Sequence, residues 1–252
     1  MKVNEVFYSV QGEGRSLGIP SIFIRLSSCN LHCWWCDTKY TWLFSKQMLK
    51  NVEKATTDNS SAPREDTKLY HPFKESIDML SEELIQTIEK FDCKRIVLTG
   101  GEPLLQQKDP ELLKFLNCVN ELGYYIETET NGTIVPNELF SASIKQWNVS
   151  PKLESSGNRA IMRENAAALS FFSNANTAWF KFVVCSENDI YGINDIVARY
   201  KIQKNKVLLM PEGTTREDVL RRSRFIVETC KASGYGFTPR LHILLWGSDR
   251  GR

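Results

Sequence analysis

Short apolar runs that alternate with helical patterns limit most strongly how this chain can fold. Seven runs of strand length are predicted, at residues 21–26, 95–99, 124–128, 146–149, 179–184, 207–210 and 241–245. Most are separated by a predicted helix, as where Asp109 can cap a helix that starts at Pro110 and ends near Gly123. Strands alternating with helices form parallel sheets with right-handed crossovers. The pattern therefore predicts an α/β fold, either an open sheet or a β/α barrel, and seven strands suit an incomplete TIM-type barrel.

The length of the chain is consistent with a single core. With 252 residues, 42% of them hydrophobic and 25% charged, it can bury one large core, and we expect one domain over residues 1–252. An additional early strand, residues 3–10, is predicted at the sheet edge. Residues 51–71 are polar and non-periodic, which predicts an inserted loop that is mobile and dispensable for binding a metal centre.

Composition argues against several functional classes. The first residues lack a signal-peptide pattern, and no apolar run approaches the roughly 20 residues that span a bilayer. A net charge of +2 gives no overall field favouring nucleic acid or an acidic membrane. We therefore expect a cytoplasmic protein, in which seven cysteines indicate metal binding or catalysis more than disulfides.

Unusual residues follow several predicted strands. They are Cys29 after the first of the seven runs and, after later runs, residues 100–103 (GGEP), 129–132 (ETNG), 150–152 (SPK) and 211–213 (PEG). The carboxyl ends of parallel strands lie at one edge of the sheet, where α/β active sites form. The sequence therefore predicts one site built from these segments.

Three of the seven cysteines lie within eight positions. Cys29, Cys33 and Cys36 have the spacing C-x3-C-x2-C. Structural zinc and most iron–sulfur sites use four protein ligands, so three cysteines leave one metal corner open. The spacing favours an open 4Fe-4S cluster, while zinc completed by His32 or a distant cysteine, and unliganded packing thiols, remain alternatives. The isolated Cys93, Cys118, Cys185 and Cys230 fit small buried hydrophobic positions.

The cysteine spacing, an aromatic residue before the last cysteine and the GGEP segment resemble the radical S-adenosylmethionine (SAM) superfamily. Within it, the segments FYSVQGEG, CDTKYTW, LTGGEPLLQ, ETNGT, SPK and RLHILLWG resemble the 7-carboxy-7-deazaguanine synthase family of queuosine biosynthesis. These segments extend over nearly the whole chain, and residues 51–71 are the main departure.

The resemblance implies three cofactors: a 4Fe-4S cluster held by the three cysteines, S-adenosyl-L-methionine on the remaining iron, and Mg²⁺. The expected SAM-binding residues are Trp35, Gly100, Gly101, Glu102, Glu129, Ser150 and Lys152, with Lys181 as a further candidate. Reductive cleavage of SAM would supply a carbon radical, while the protein supplies position and shielding.

The resemblance also implies a substrate, 6-carboxy-5,6,7,8-tetrahydropterin, and its ring contraction to 7-carboxy-7-deazaguanine with loss of ammonia. The expected substrate-binding residues are Val10, Gln11, Gly12, Glu13, Arg25 and Thr99. The rigid fork of Arg25 suits a carboxylate. The hydroxyl of Thr38 is the expected ligand of a Mg²⁺ ion that bridges to the substrate carboxylate, although a helix cap is the alternative role.

The family further implies an electron donor such as flavodoxin or ferredoxin, and a homodimer. Two alternative functions remain at this point. One is an activating enzyme that makes a glycyl radical on a protein partner and shares the cysteine and glycine motifs. The other is a non-catalytic zinc or iron–sulfur binding module.

Overall fold

The computed structural model describes residues 1–58 and 69–252, and its strands form a single sheet. The strands are β1 (Lys2–Val10), β2 (Pro20–Leu26), β3 (Ile77–Asp78), β4 (Arg95–Gly100), β5 (Tyr125–Thr130), β6 (Gln146–Val149), β7 (Ala178–Val184), β8 (Val207–Pro211) and β9 (Gly236–Phe237). The helices are α1 (Lys46–Asp58), α2 (Pro72–Glu75), α3 (Ser81–Ile88), α4 (Pro110–Glu121), α5 (Glu138–Ala142), α6 (Ala160–Arg163), α7 (Ala166–Asn174), α8 (Asp189–Arg199), α9 (Arg216–Ser233) and α10 (Leu241–Trp246).

The order of the strands confirms the predicted incomplete β/α barrel. The sheet runs β3-β1-β2-β4-β5-β6-β7-β8-β9, and its end strands β3 and β9 are not paired with each other in the described part of the chain. Strand β1 is antiparallel to β2 and β3, while β2 and β4 to β9 are mutually parallel. The carboxyl ends of the parallel strands therefore share one rim.

Helix α4 shows why the local pattern folds as predicted. Asp109 caps it, because its carboxylate accepts hydrogen bonds from two backbone N–H groups of the first turn. The buried Leu112, Phe115, Leu116 and Val119 repeat at helical spacing and pack into the main core. The cap and the apolar stripe together fix where the helix starts and which face it buries.

The predicted strand at residues 241–245 is wrong, because this segment forms helix α10. The backbone N–H of Leu244 donates to the carbonyl of Arg240, and that of Gly247 to Ile243, as in a helix. A short apolar run does not by itself distinguish a strand from a helix. The short β9, which the pattern missed, takes the edge beside β8 instead.

The predicted loop at residues 51–71 begins too early, since residues 51–58 continue helix α1. Val52 is fully buried against Trp34, Trp42 and Leu43, beside the cysteine segment. One apolar face on an otherwise polar helix is enough to dock it. Residues 59–68 lie outside the described residues, so the mobility and dispensability expected of this insertion stay predictions.

No helix among the described residues is both long enough and apolar enough to cross a membrane.

Candidate active site

A cavity of about 220 Å³ opens at the rim formed by the carboxyl ends of the parallel strands. It brings together the predicted site residues Val10, Gln11, Gly12, Glu13, Arg25, Cys29, Cys33, Trp35, Cys36, Thr38, Thr99, Gly100, Gly101, Glu129, Ser150, Lys152 and Lys181. Glu102 is the one predicted residue that does not line it. The topology thus gathers segments that are far apart in the sequence.

The three cysteines lie together at one end of this cavity, on the loop that follows β2. Burial raises the pKa of the Cys33 thiol to about 12 and also raises the pKa of Cys29. Without a metal these two thiols are therefore protonated at neutral pH. Binding of iron, which requires thiolates, would release those protons.

The paired glycines after β4 allow two backbone segments to touch. A Cβ on Gly100, whose φ is +140°, would lie 2.2 Å from the Leu26 carbonyl oxygen, and a Cβ on Gly101 would lie 2.0 Å from that of Ser28. The Gly101 N–H donates to Leu26 at 3.0 Å. The end of β4 is therefore pressed against the segment leading into Cys29, which only glycine permits.

Glu102 lies beneath the cavity wall. Its carboxylate accepts hydrogen bonds from the Leu104 N–H at 3.1 Å, the Thr130 hydroxyl at 2.8 Å and the Asn131 N–H at 2.7 Å. The side chain is fully buried, and burial raises its pKa. In this structure Glu102 ties the GGEP segment to the ETNGT loop, which is a supporting role, and its predicted contact with SAM stays a prediction.

Glu129 reaches the cavity from the end of β5. It accepts hydrogen bonds from Thr99 at 2.8 Å and from the Gln11 amide at 3.3 Å, and Lys181 Nζ lies 3.7 Å from it. The same Gln11 amide donates to the buried Glu127 at 3.1 Å. Two carboxylates from one face of β5 therefore fix the orientation of the Gln11 side chain.

Glu13 and Asp37 share one guanidinium, that of Arg240. Arg240 Nε lies 3.1 Å from Glu13, and its terminal nitrogen contacts Asp37. Glu13 also pairs with Lys181 and lies 3.7 Å from His242 Nε2. Although burial raises the pKa of Glu13, the charges of Lys181 and Arg240 hold it well below its ordinary value, so this carboxylate is ionised at neutral pH.

Arg240 and His242 are site residues that were not predicted. They belong to the RLHILLWG segment, whose apolar run predicts a strand and whose residues form the start of α10 in the structure. The Leu241 N–H donates to the Gly12 carbonyl at 2.9 Å, and a Cβ on Gly12 would lie 2.4 Å from His242 Nδ1. Glycine at position 12 therefore lets the start of α10 close this side of the cavity.

Glu13, Asp37 and His242 offer three possible metal ligands within 4.8 Å of one another. The Arg240 guanidinium already contacts both carboxylates, and Lys181 contacts Glu13. A divalent cation there would face two fixed positive charges at short range. The cluster is better described as a partly buried ion-pair network, with Asp37 at its exposed side, than as a metal site.

Arg25 and Thr38 lie where the first cavity meets a second one of about 300 Å³, and both residues line each of them. Arg25 donates through Nε to Glu5 at 3.2 Å, and its guanidinium lies 5.9 Å from the Phe7 ring centroid. The Thr38 hydroxyl is 3.5 Å from Cys36 Sγ and makes no helix-capping hydrogen bond. The alternative role of Thr38 as a side-chain cap is therefore not seen.

Lys152, the last residue of the SPK turn, lies in the cavity wall beside the cysteine segment. Its ammonium donates to the Ser150 carbonyl at 2.9 Å and to the Ser150 hydroxyl at 2.8 Å. The same nitrogen lies 5.6 Å from the Trp35 ring centroid. Ser150, Lys152 and Trp35 thus form one polar and aromatic wall beside the three thiols.

Known proteins match the chain over nearly its full length. The Radical SAM superfamily matches residues 24–163. The 7-carboxy-7-deazaguanine synthase of Pyrobaculum aerophilum is 31% identical over 252 residues, covering 100% of this chain and 97% of that protein. The enzyme of the same name from Halobacterium salinarum is 33% identical, covering 98% and 90%. The crystal structure of QueE from Escherichia coli has a TM-score of 0.66 at 26% identity, covering 96% and 94%.

Proposed function

The chain belongs to the 7-carboxy-7-deazaguanine synthase family of radical SAM enzymes. We propose that it catalyses the reaction for which this family is named, and we assign a role in that reaction to the residues of the cavity. The reaction converts 6-carboxy-5,6,7,8-tetrahydropterin to 7-carboxy-7-deazaguanine with release of ammonia, in queuosine biosynthesis. The observation that carries this function is the full-length similarity, supported by a cavity that combines three thiols with Arg25 and Glu13. The comparisons favour it over a glycyl-radical activating enzyme.

The donor set at the thiol end fits a 4Fe-4S cluster with one open iron. Three cysteines and no fourth line the cavity among the described residues, and the other cysteines lie outside its wall. Cys29, Cys33 and Cys36 would hold the cluster, which supplies one-electron cleavage of bound SAM. The chain's own contribution is to keep this end buried beneath Trp34, Trp42 and Val52.

The wall beside the thiols would bind SAM. The Gly100–Gly101 backbone, Glu129 and Ser150 offer acceptors for its ammonium and ribose hydroxyls, since carbonyl and carboxylate oxygens accept from such donors. Lys152 offers a cation for its carboxylate. Trp35 is the expected contact of the adenine ring.

The opposite wall would bind the pterin. The Glu13 carboxylate stays ionised, so it can accept hydrogen bonds from the N–H groups at the edge of the ring. Gln11 and Thr99 would supply further polar contacts, with Val10 and Gly12 in the wall next to them. Among the described residues Arg25 commits only its Nε to Glu5, which leaves its terminal nitrogens for the substrate carboxylate.

Magnesium is proposed at Thr38, which lies 3.5 Å from Cys36 Sγ, lines the same cavities as Arg25 and offers a hard oxygen donor. We expect Thr38→Val, which keeps the shape but removes the hydroxyl, to lower the apparent magnesium affinity about tenfold or more. The measurement is product formation against Mg²⁺ concentration, with SAM binding followed in parallel. Thr38→Ser should restore the wild-type response, and an unaltered response in the valine variant would exclude this ligand.

The function itself is tested with anaerobically reconstituted protein, dithionite, Mg²⁺, SAM and 6-carboxy-5,6,7,8-tetrahydropterin. We expect 7-carboxy-7-deazaguanine and ammonia in equal amounts, identified by mass spectrometry and ammonia assay. If the hydrogen returns to the cosubstrate, many turnovers should occur per SAM consumed. SAM cleavage that leaves the pterin unchanged would reject the proposal.

Other properties remain proposals. Residues 1–252 would form one domain, since every described strand belongs to one sheet. A reducing compartment such as the cytoplasm would keep the three thiols available for iron. A flavodoxin or ferredoxin as electron donor, and a homodimer, are expected from the family resemblance, with no role for nucleic acid or a membrane.

A further inference from the structure

Two side chains from outside the cysteine motif donate N–H groups to the thiol sulfurs. Trp42 Nε1 lies 3.3 Å from Cys36 Sγ, and Asn158 Nδ2 lies 3.2 Å from Cys33 Sγ. Both distances suit N–H···S hydrogen bonds. Asn158 belongs to the segment after β6, more than a hundred residues away from the cysteines, so tertiary structure brings this donor to the site.

The Trp42 indole is held rigidly. The side chain is 1% exposed, its ring stacks on that of His32 at 4.9 Å between centroids, and Leu43 and Val52 pack in the same apolar cluster. A ring fixed on this many sides cannot turn its N–H away from Cys36. Helix α1, which supplies Val52, therefore contributes to the position of this donor.

The orientation of the Asn158 amide is fixed by its own hydrogen bonds. Its Oδ1 accepts from the His32 backbone N–H at 2.9 Å, and its Nδ2 also donates to Ser156 Oγ at 3.1 Å. A flipped amide would place two N–H groups against each other at His32. The NH₂ group must therefore face Cys33.

We propose that Trp42 and Asn158 are positioning residues that raise the reduction potential of the cluster on Cys29, Cys33 and Cys36, an inference that rests on the proposed function. Reduction adds one negative charge, which the cluster shares with its thiolate sulfurs. The surrounding apolar burial disfavours that charge, and N–H groups aimed at the sulfurs stabilise it. The two donors thereby offset the cost of a buried, solvent-shielded cluster and make it accessible to an external one-electron reductant.

The test is a potentiometric titration of the reconstituted protein followed by electron paramagnetic resonance. Trp42→Phe keeps a stacked ring and loses the N–H, while Asn158→Leu keeps a similar side-chain volume and loses the N–H donor without adding a charge. In each variant we expect the reduced-to-oxidised ratio at a fixed potential to fall about tenfold, equivalent to a midpoint about 59 mV more negative for one electron. An unchanged midpoint at normal iron and sulfide content would overturn the proposal.

Trp147→Phe is the matched control, because Trp147 packs against Phe140 and Phe172 in the main core. It should leave the midpoint at the wild-type value. Should the test variants fail to assemble the cluster, wild-type protein carrying ¹⁵N in its indole rings keeps the proposal testable. Electron–nuclear double resonance of its reduced cluster should show a ¹⁵N coupling from Trp42, and its absence would contradict the proposal.

Turnover of the pterin by the wild-type protein is measured on the same preparations. If the variants have shifted midpoints but the wild-type protein forms no deazaguanine, the proposed substrate is rejected and this inference stands. If the wild-type protein forms deazaguanine and all variants have the wild-type midpoint, the proposed function stands and this inference is rejected.

Discussion

Alanine at any one of Cys29, Cys33 or Cys36 is expected to abolish the electron paramagnetic resonance signal of the reduced cluster and all cleavage of SAM. Three protein ligands are the fewest that hold a 4Fe-4S cluster with one open iron, so a single loss leaves two. Iron and sulfide content per chain should fall to near zero in each variant. The measurement is made on protein reconstituted and reduced anaerobically.

Cys118→Ala and Cys230→Ala are the controls. Cys118 is half-buried on helix α4, and the buried Cys230 thiol donates to the Gly236 carbonyl at 3.3 Å, far along the chain from the cysteine motif. Both variants should assemble a full cluster. A cluster that also required one of these residues would mean four protein ligands, and the open-iron arrangement would then be excluded.

Local pattern was sufficient to predict the parallel core of the fold. The strands β2 and β4 to β8 start or end within two residues of their predicted limits, because each is a buried apolar run between turn or helix signals. The helix cap at Asp109 was also predicted from the local sequence. The strand prediction for the RLHILLWG segment was wrong, because its apolar residues suit a strand or a helix equally. The packing of α10 on Gly12 decides in favour of the helix.

The same distinction between local pattern and tertiary packing applies to the residues of the site. Residues directly after strands were predictable, since the shared rim of a parallel sheet brings them together. Glu102 shows the limit of that argument, because its position after β4 does not reveal that three donors, two of them from the ETNGT loop, occupy its carboxylate. Arg240 was not predictable from position, since it reaches Glu13 through a contact 227 residues apart in the chain.

Arg240→Leu is expected to lower kcat/KM for the pterin about 100-fold while SAM binding is retained. The guanidinium is 7% exposed and joins Glu13 to Asp37, so its removal leaves two carboxylates close together, with Lys181 still paired to Glu13. Removing one partner of a buried ion pair is costly because the other charge stays buried. The walls that carry Glu13 and Thr38 should consequently move apart.

The stability of this variant should depend on pH in a defined direction. Although burial raises the pKa of Asp37, Arg240 and other nearby cations hold it below its ordinary value, and the same holds for Glu13. A carboxylate with a depressed folded pKa stabilises the protein above its unfolded pKa of about 4 and loses that contribution as the pH falls. The difference in melting temperature between wild type and Arg240→Leu should therefore be full at neutral pH and shrink only as the pH falls below about 4, toward the depressed folded pKa values.

Arg199→Leu provides a matched control, because this arginine pairs with Glu164 and Asp195 on the exposed surface of α8. Its removal should leave kcat/KM and the pH dependence of melting unchanged, since exposed ion pairs contribute little. Arg240→Lys separates charge from geometry. A lysine cannot contact both carboxylates through one planar fork, so it should recover part of the stability and little of the catalytic efficiency. Wild-type kcat/KM in Arg240→Leu would show that substrate binding does not depend on the link between Glu13 and Asp37.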